Sequence, residues 1–182
     1  MILGITGTNG SGKGTVVEYL LSKGFTHYSA RAFIAEEIER RGLPLERPSF
    51  KKTADSLRKA HGPSYIIEQL FAQAQARGGD AVVESIRELA GAHFLHEQGA
   101  KLLAVNADQK FRYERTVLRG SHTDHVDFAT WVQQEEAEWH NEAAHEMDVP
   151  GVMALADATV MNNSTLEDLH AQVDVALSAF TK

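Results

Sequence analysis

At 182 residues, with 43% hydrophobic and 24% charged residues, the chain has the size and composition of one globular domain, which excludes a fibrous or disordered protein. It has no cysteine, ruling out disulfides and thiolate zinc sites, and its net charge of −7, from 18 basic and 25 acidic residues, argues against a broad nucleic-acid-binding surface. No apolar run approaches the roughly 18 residues of a membrane span, and no basic stretch precedes an apolar one at the start, so the cytoplasm is the expected location.

In chain order, Met1 to Thr6 reads as a short buried strand and Lys13 to Leu21 as the start of a helix with apolar Val16, Val17, Leu20 and Leu21. Between them lies Gly7-Thr8-Asn9-Gly10-Ser11-Gly12-Lys13-Gly14-Thr15. It fits the phosphate-binding pattern G-x-x-x-x-G-K at Gly7, Gly12 and Lys13, in the strand-to-helix setting that the pattern requires. Small residues let successive backbone N–H groups turn inward around an anion, the helix N-terminus adds partial positive charge, and the lysine reaches the outer phosphates. The expected nucleotide-binding set is therefore Gly7, Asn9, Gly10, Ser11, Gly12, Lys13, Gly14 and Thr15. Gly14 stands where a Ser or Thr usually places its hydroxyl on magnesium, and Thr15 comes one residue later.

A second strand is expected over Thr26 to Tyr28, then a helix from Ala30 to Arg41 ended by Gly42, a loop over 43–48, and helices over 50–60 and 63–77. Asp80 to Glu84 is a buried strand that delivers a carboxylate at its C-terminal end, where open α/β sheets bind ligands. A helix over 90–97, a strand over 101–106 and a helix over 108–118 follow. Then come a polar loop over 120–127 holding His122 and His125, a long helix over 128–145, a strand over 158–161 and a helix over 164–180. Ser164 and Glu167 have capping-box spacing at the start of the last helix. Alternating strands and helices predict a three-layer α/β/α sandwich around a central parallel sheet.

With these residues in place, the chain resembles the small P-loop kinases that act on nucleotides, over nearly its whole length. It is most similar to adenylate-kinase-related, nucleoside monophosphate kinase-like proteins, with similarity to dephospho-CoA kinases. The resemblance is carried by Gly7 to Thr15, by residues 39–45 (Glu-Arg-Arg-Gly-Leu-Pro-Leu), by Ser56-Leu57-Arg58-Lys59 before a His-Gly turn, and by Glu84-Ser85-Ile86-Arg87. Arg112, Arg115 and Arg119 on one helix, and Ala156-Asp157 leading to Asn162 or Asn163, extend it. It implies one P-loop kinase domain over 1–182, with a helical acceptor-binding segment over 30–79 and a lid over 112–147, using ATP and magnesium. Relatives often carry Asp-Gly-Ile-Arg where this chain has Glu84-Ser85-Ile86-Arg87. After the second strand they tend to show an Asp and, three residues on, an Arg, where this chain has Ala32 and Ala35 with Arg31 nearby.

Phosphoryl transfer depends mainly on positioning and on neutralising the transferring group. Lys13, Arg115 and Arg119 are the candidate cations for that task, because residues 112, 115 and 119 share one helix face. Glu84 is the candidate acid for orienting magnesium through water, together with Thr15. Arg115 and Asn162 are further candidate nucleotide contacts, and Arg31, Arg58 and Arg87 are candidates for the acceptor phosphate. Dephospho-CoA kinases carry an Asp pair after strand two, where this chain reads His27-Tyr28-Ser29-Ala30-Arg31 with no carboxylate before Glu36. A hydroxyl acceptor needs a base and a phosphate acceptor does not, so a nucleoside or deoxynucleoside monophosphate is the expected small-molecule partner. The alternatives are a hydroxyl kinase with His27 or Glu84 as base, and a nucleotide-dependent switch with slow ATPase activity. The spacings of His122/His125 and His140/His145 do not point to a metal site, and Trp131 and Trp139 are expected to be packing residues.

Overall fold

The computed structural model describes residues 1–119, 126–139 and 147–181. Its elements run β1 (Ile2–Gly7), α1 (Lys13–Ser22), β2 (Thr26–Ser29), α2 (Ala30–Arg40), α3 (Arg47–His61), α4 (Tyr65–Arg77), β3 (Ala81–Glu84) and α5 (Leu89–Glu97). They continue with β4 (Lys101–Asn106), α6 (Gln109–Arg119), α7 (Phe128–Trp139), α8 (Val149–Ala154), β5 (Ala158–Met161) and α9 (Leu166–Phe180).

The strands form one sheet in the order β2-β3-β1-β4-β5, and every pairing is parallel. Strands buried on both faces are near-continuous apolar runs, and their two-residue period sends neighbours to opposite sides. Val82 and Leu103 accordingly join one core cluster, with Leu3, Ile5, Val16, Leu20, Leu169 and Val173, between the sheet and α1 and α9. Val83 and Leu102 join the other, with Ile38, Leu57, Ile67, Leu70, Ile86, Leu95 and Val152, beneath α2 to α5 and α8. These two clusters make the three layers of the expected α/β/α sandwich.

Several boundaries differ from those expected. Helix α3 begins at Arg47 with a proline in its first turn, so the loop before it is shorter. The short helix α8 was not anticipated, although it carries a start signal: the Asp148 side chain accepts from the Gly151 N–H, and Pro150 sits in the first turn. The cap of α9 is Thr165, not Ser164; its side chain accepts from the Asp168 N–H, and the Ser164 hydroxyl donates to the Asp168 carboxylate. The helix expected over 128–145 is described to Trp139, and His122, His125, His140 and His145 lie outside the described residues. Among the described residues, no helix is long and apolar enough to cross a membrane.

The parallel arrangement brings the C-terminal ends of all five strands to one edge. The Gly7–Thr15 loop follows β1, which lies between β3 and β4, so Glu84 stands to one side of the loop and Asn106 to the other. Ligands bind at this crevice in such folds.

Candidate functional site

The loop owes its shape to three glycines that no other residue could replace. Gly7, Gly10 and Gly12 have φ of 142°, 74° and 95°. A Cβ on them would overlap the Val105 carbonyl oxygen, the Arg112 carbonyl oxygen and the Asn162 side-chain amide, respectively. Gly14 differs, since a Cβ there would meet nothing within 4 Å. Neighbouring strand ends brace the loop: Thr8 Oγ1 donates to Asn106 Oδ1 at 3.1 Å, and Asn162 Nδ2 donates to the Ser11 carbonyl at 2.9 Å. Asn162, expected at the nucleotide, thus spends its side-chain amide on the loop. The hydroxyl of Ser11, a fully buried residue, has no hydrogen-bond partner among the described residues.

Lys13 folds back over the loop, with Nζ donating to the carbonyls of Gly7 at 2.9 Å and Thr8 at 2.7 Å. Burial pushes its pKa down to about 8, helped by the nearby positive charges of Arg87, Arg119 and Arg112 and opposed by Glu84. An ammonium so poorly compensated is a strong attractor for polyphosphate.

At the end of β3, Glu84 Oε2 lies 2.9 Å from His27 Nε2 on β2. The hydrogen bond from His27 holds the Glu84 carboxyl below its ordinary range; burial opposes this, and the charges of His27, Lys13 and Arg87 add to it. Among the described residues, Oε1 of Glu84 has no hydrogen bond, so it can accept one from metal-bound water. The chain leaves β3 through Ser85 at φ 73°, a left-handed conformation in a residue other than glycine, with the N–H groups of Ser85 and Ile86 both donating to the Ile5 carbonyl at 3.1 Å.

The three arginines of α6, expected to share one helix face, reach the loop and Asn162 with different burial. Arg112 is buried, held by both guanidinium ends to the buried Glu135 of α7, with Nε donating to the Ala107 carbonyl at 3.0 Å and Nη1 to the Asn9 carbonyl at 3.4 Å. It also lies 5.2 Å from the Trp131 ring centroid, beside a cluster of Tyr113, Phe128 and Trp131. Trp131 is thus the packing residue expected. Half-buried Arg115 donates from Nη2 to the Asn162 carbonyl at 2.8 Å, while its buried Nη1 has no partner among the described residues. Arg119 is exposed and reaches Asn9 Oδ1 at 3.4 Å.

On the other side, Arg58 of α3 forms an ion pair with Glu88 and lies 3.9 Å from Asp55. Arg87 is exposed; its Nη1 is 3.7 Å from Met147 Sδ, and its carbonyl accepts from the Asp148 N–H at 2.8 Å. Its charge acts on Lys13, on Glu84 and on Arg58, so these four residues share one electrostatic neighbourhood. Exposed Arg31 instead lies over the Phe50 ring, 4.2 Å from its centroid. Sequence reasoning did not single out Glu88 or Glu135. Only Glu88 left a signal, as a second carboxylate four residues after Glu84 in the same connection.

Comparison with known proteins agrees with this fold. The chain is 29% identical over 180 residues to UPF0200 protein TK1334 of Thermococcus kodakarensis, covering 95% of this chain and 94% of that one. Its fold is similar to that of Thermus thermophilus TT1252, with a TM-score of 0.64, 22% identity and coverage of 100% and 98% of the two chains. It is also similar to that of a dephospho-CoA kinase from Campylobacter jejuni, with a TM-score of 0.52, 16% identity and coverage of 98% and 96%. At such identities the likeness shows the fold, which is that of the P-loop kinases. The profile of a family described as an AAA domain matches residues 3–140, and the chain belongs to that family.

Proposed function

We propose that the protein transfers the terminal phosphoryl group of ATP, with magnesium, to the phosphate of a nucleoside or deoxynucleoside monophosphate. The observation that carries this reading is the glycine-lined loop that holds Lys13 folded back beside the end of β3, where Arg87 follows Glu84 and its charge acts on both Lys13 and Arg58. A row of cations running from a donor-phosphate loop to a second, buried guanidinium suits two phosphates brought end to end. The residues at the loop fit ATP: three glycines keep the cradle open to backbone N–H groups, and the unpartnered hydroxyl of Ser11 and the crowded cation of Lys13 both lack a counterpart that phosphate would supply.

In this reading Gly7, Asn9, Gly10, Ser11, Gly12, Lys13, Gly14 and Thr15 hold the donor phosphates, with Arg115 and Asn162 beside them. Lys13, Arg115 and Arg119 neutralise charge that builds on the transferring group. Glu84 and Thr15 suit magnesium, the carboxylate through water, and bound magnesium would offset charge on the donor phosphates. Arg58 and Arg87 orient the acceptor phosphate, and Arg31 lies further out. An ATP-consumption assay across all ribo- and deoxyribonucleoside monophosphates and dephospho-CoA, run beside Lys13→Ala, tests the reading. Turnover of a monophosphate that Lys13→Ala abolishes supports it, and ATP hydrolysis indifferent to every acceptor refutes it.

The His27–Glu84 hydrogen bond favours a second reading, in which this pair takes the proton from a hydroxyl acceptor. Turnover of dephospho-CoA or another alcohol, lost in Glu84→Gln while ATP binding persists, would establish it in place of the first.

A further inference from the structure

We infer that Glu88 is a positioning residue, fixing the guanidinium of Arg58 so that its Nε–H meets an anionic oxygen of the acceptor. This deepens the phosphate-acceptor reading above and rests on it.

Glu88 is 3% exposed and sits at the N-cap position of α5, yet its side chain makes no capping bond to that helix. A carboxylate at an N-cap ordinarily accepts from the first-turn N–H groups. Here it is turned instead to Nη2 of Arg58. The backbone at Glu88 is extended, with φ −113° and ψ 140°, and in extended chain successive side chains point to opposite sides. One short connection therefore sends Arg87 to one side and Glu88 to the other, toward α3.

The use of Arg58 is incomplete. Its side chain is 12% exposed, Nη2 is held by Glu88, and Nη1 is 3.9 Å from Asp55, beyond hydrogen-bond range. Its Nε is buried and has no hydrogen-bond partner among the described residues. A buried donor left unpaired is costly, and an arginine presents Nε and one Nη as a fork matched to the two oxygens of a carboxylate or phosphate. Glu88 occupies one arm and leaves the Nε–H unpaired. A carboxylate that held all of the donors would have blocked the acceptor; one that holds a single nitrogen aims the rest.

The test uses the full chain and follows the Arg58 Nε–H resonance by NMR, with β,γ-imido ATP and magnesium bound. Titration with the monophosphate that the enzyme turns over should move this resonance downfield, whereas the matching nucleoside should not. Glu88→Ala should raise the acceptor KM about tenfold, as loss of an orienting partner does elsewhere, and leave the ATP KM within about twofold. Glu88→Gln keeps an oxygen for Nη2 and should recover most of the loss. A parallel rise in both KM values, or a lower melting temperature with unchanged kinetics, would make the pair merely structural and overturn the inference. Should Glu88→Ala fail to fold, Arg58→Lys carries the test, because it keeps the charge and removes Nε; an unchanged acceptor KM would then overturn the inference.

Turnover of a monophosphate beside a stationary Arg58 signal sinks this inference and leaves the reading of function intact. No turnover of any monophosphate sinks that reading, and inorganic phosphate then becomes the probe. Movement of the signal that Glu88→Ala abolishes supports the positioning role, and no movement overturns it.

Discussion

In the proposed reading, the donor half of the site is held by main chain and the acceptor half by side chains. Around the phosphate loop, Lys13 donates to the carbonyls of Gly7 and Thr8, Asn162 to that of Ser11, Arg115 to that of Asn162 and Arg112 to that of Asn9. Across the cleft, Arg58 pairs with Glu88, Arg31 lies over Phe50, and Arg40 and Arg41 both bond Glu37. Main-chain carbonyls of the loop move only with the strands that brace it, and the largely buried Arg58–Glu88 pair is likewise held, whereas the exposed Arg31 and Arg40 can change partners at small cost. The donor half is therefore built to one fixed shape, whereas the acceptor half is fixed at Arg58 and adaptable only at its exposed arginines.

The most severe way to break that contrast is at Lys13. Lys13→Met should lower phosphoryl transfer about 10³-fold or more, the scale on which preorganised charge acts at a transferring group. The same change should not lower the melting temperature of the nucleotide-free protein, because it removes a cation that burial already disfavours. Steady-state kinetics beside thermal unfolding reads both, and a large loss of stability would mean that the two carbonyl contacts of Lys13 hold the loop together.

Next in size is the buried pair beneath the loop. Arg112→Leu leaves Glu135 buried without its partner and should cost about 3–5 kcal/mol, while the double change with Glu135→Leu should recover most of that. Denaturant titration of the single and double variants measures the difference. Recovery of stability without recovery of ATP affinity would show that Arg112 shapes the loop through Asn9 as well as joining α6 to α7.

A smaller effect follows from pH. Lys13 titrates at about 8 in the folded protein against an ordinary 10.5. Between these values the unfolded chain holds a proton that the folded chain has released, so the stability of the free protein rises with pH across that window. Bound polyphosphate favours the charged lysine and raises its pKa. Nucleotide binding should then take up a proton above pH 8, and affinity should fall by up to about tenfold per pH unit there. Calorimetry at pH 8.5 in two buffers of different ionisation enthalpy reads the uptake, and Lys13→Met should abolish it.

The contrast between the halves also explains what could be read in advance. The loop, the parallel sheet and the strand-end carboxylate were legible because each depends on local pattern: glycine spacing, apolar runs and the position of Glu84. The buried state of Arg112 was not, since its spacing with Arg115 and Arg119 is the same whether the helix faces water or α7. The pairing depends on Glu135, which is 23 positions away in the chain. Glu88 and Arg58 meet only because α3 packs over the connection after β3, and no local signal says which cation a buried carboxylate will find. Asn162 was placed at the site by the family resemblance, but its bond to Ser11, 151 positions away in the chain, left no local signal.

Ser85 sits at the joint between the halves, next to Glu84 on one side and two residues before Arg87 on the other. A left-handed conformation costs an ordinary residue about 1–2 kcal/mol, and glycine avoids that but loses about 0.5–1 kcal/mol through the greater freedom of its unfolded chain. The difference makes Ser85→Gly stabilising by about 0.5 kcal/mol, the smallest change expected here and within reach of careful denaturant titration. Ser85→Ala keeps the strain and should be neutral. A loss of more than about 1 kcal/mol in Ser85→Gly would mean that the serine side chain holds the turn rather than tolerating it. Any accompanying fall in turnover would then assign the strain a purpose: fixing the angle between Glu84 and Arg87, which the proposed reading places at the donor and at the acceptor.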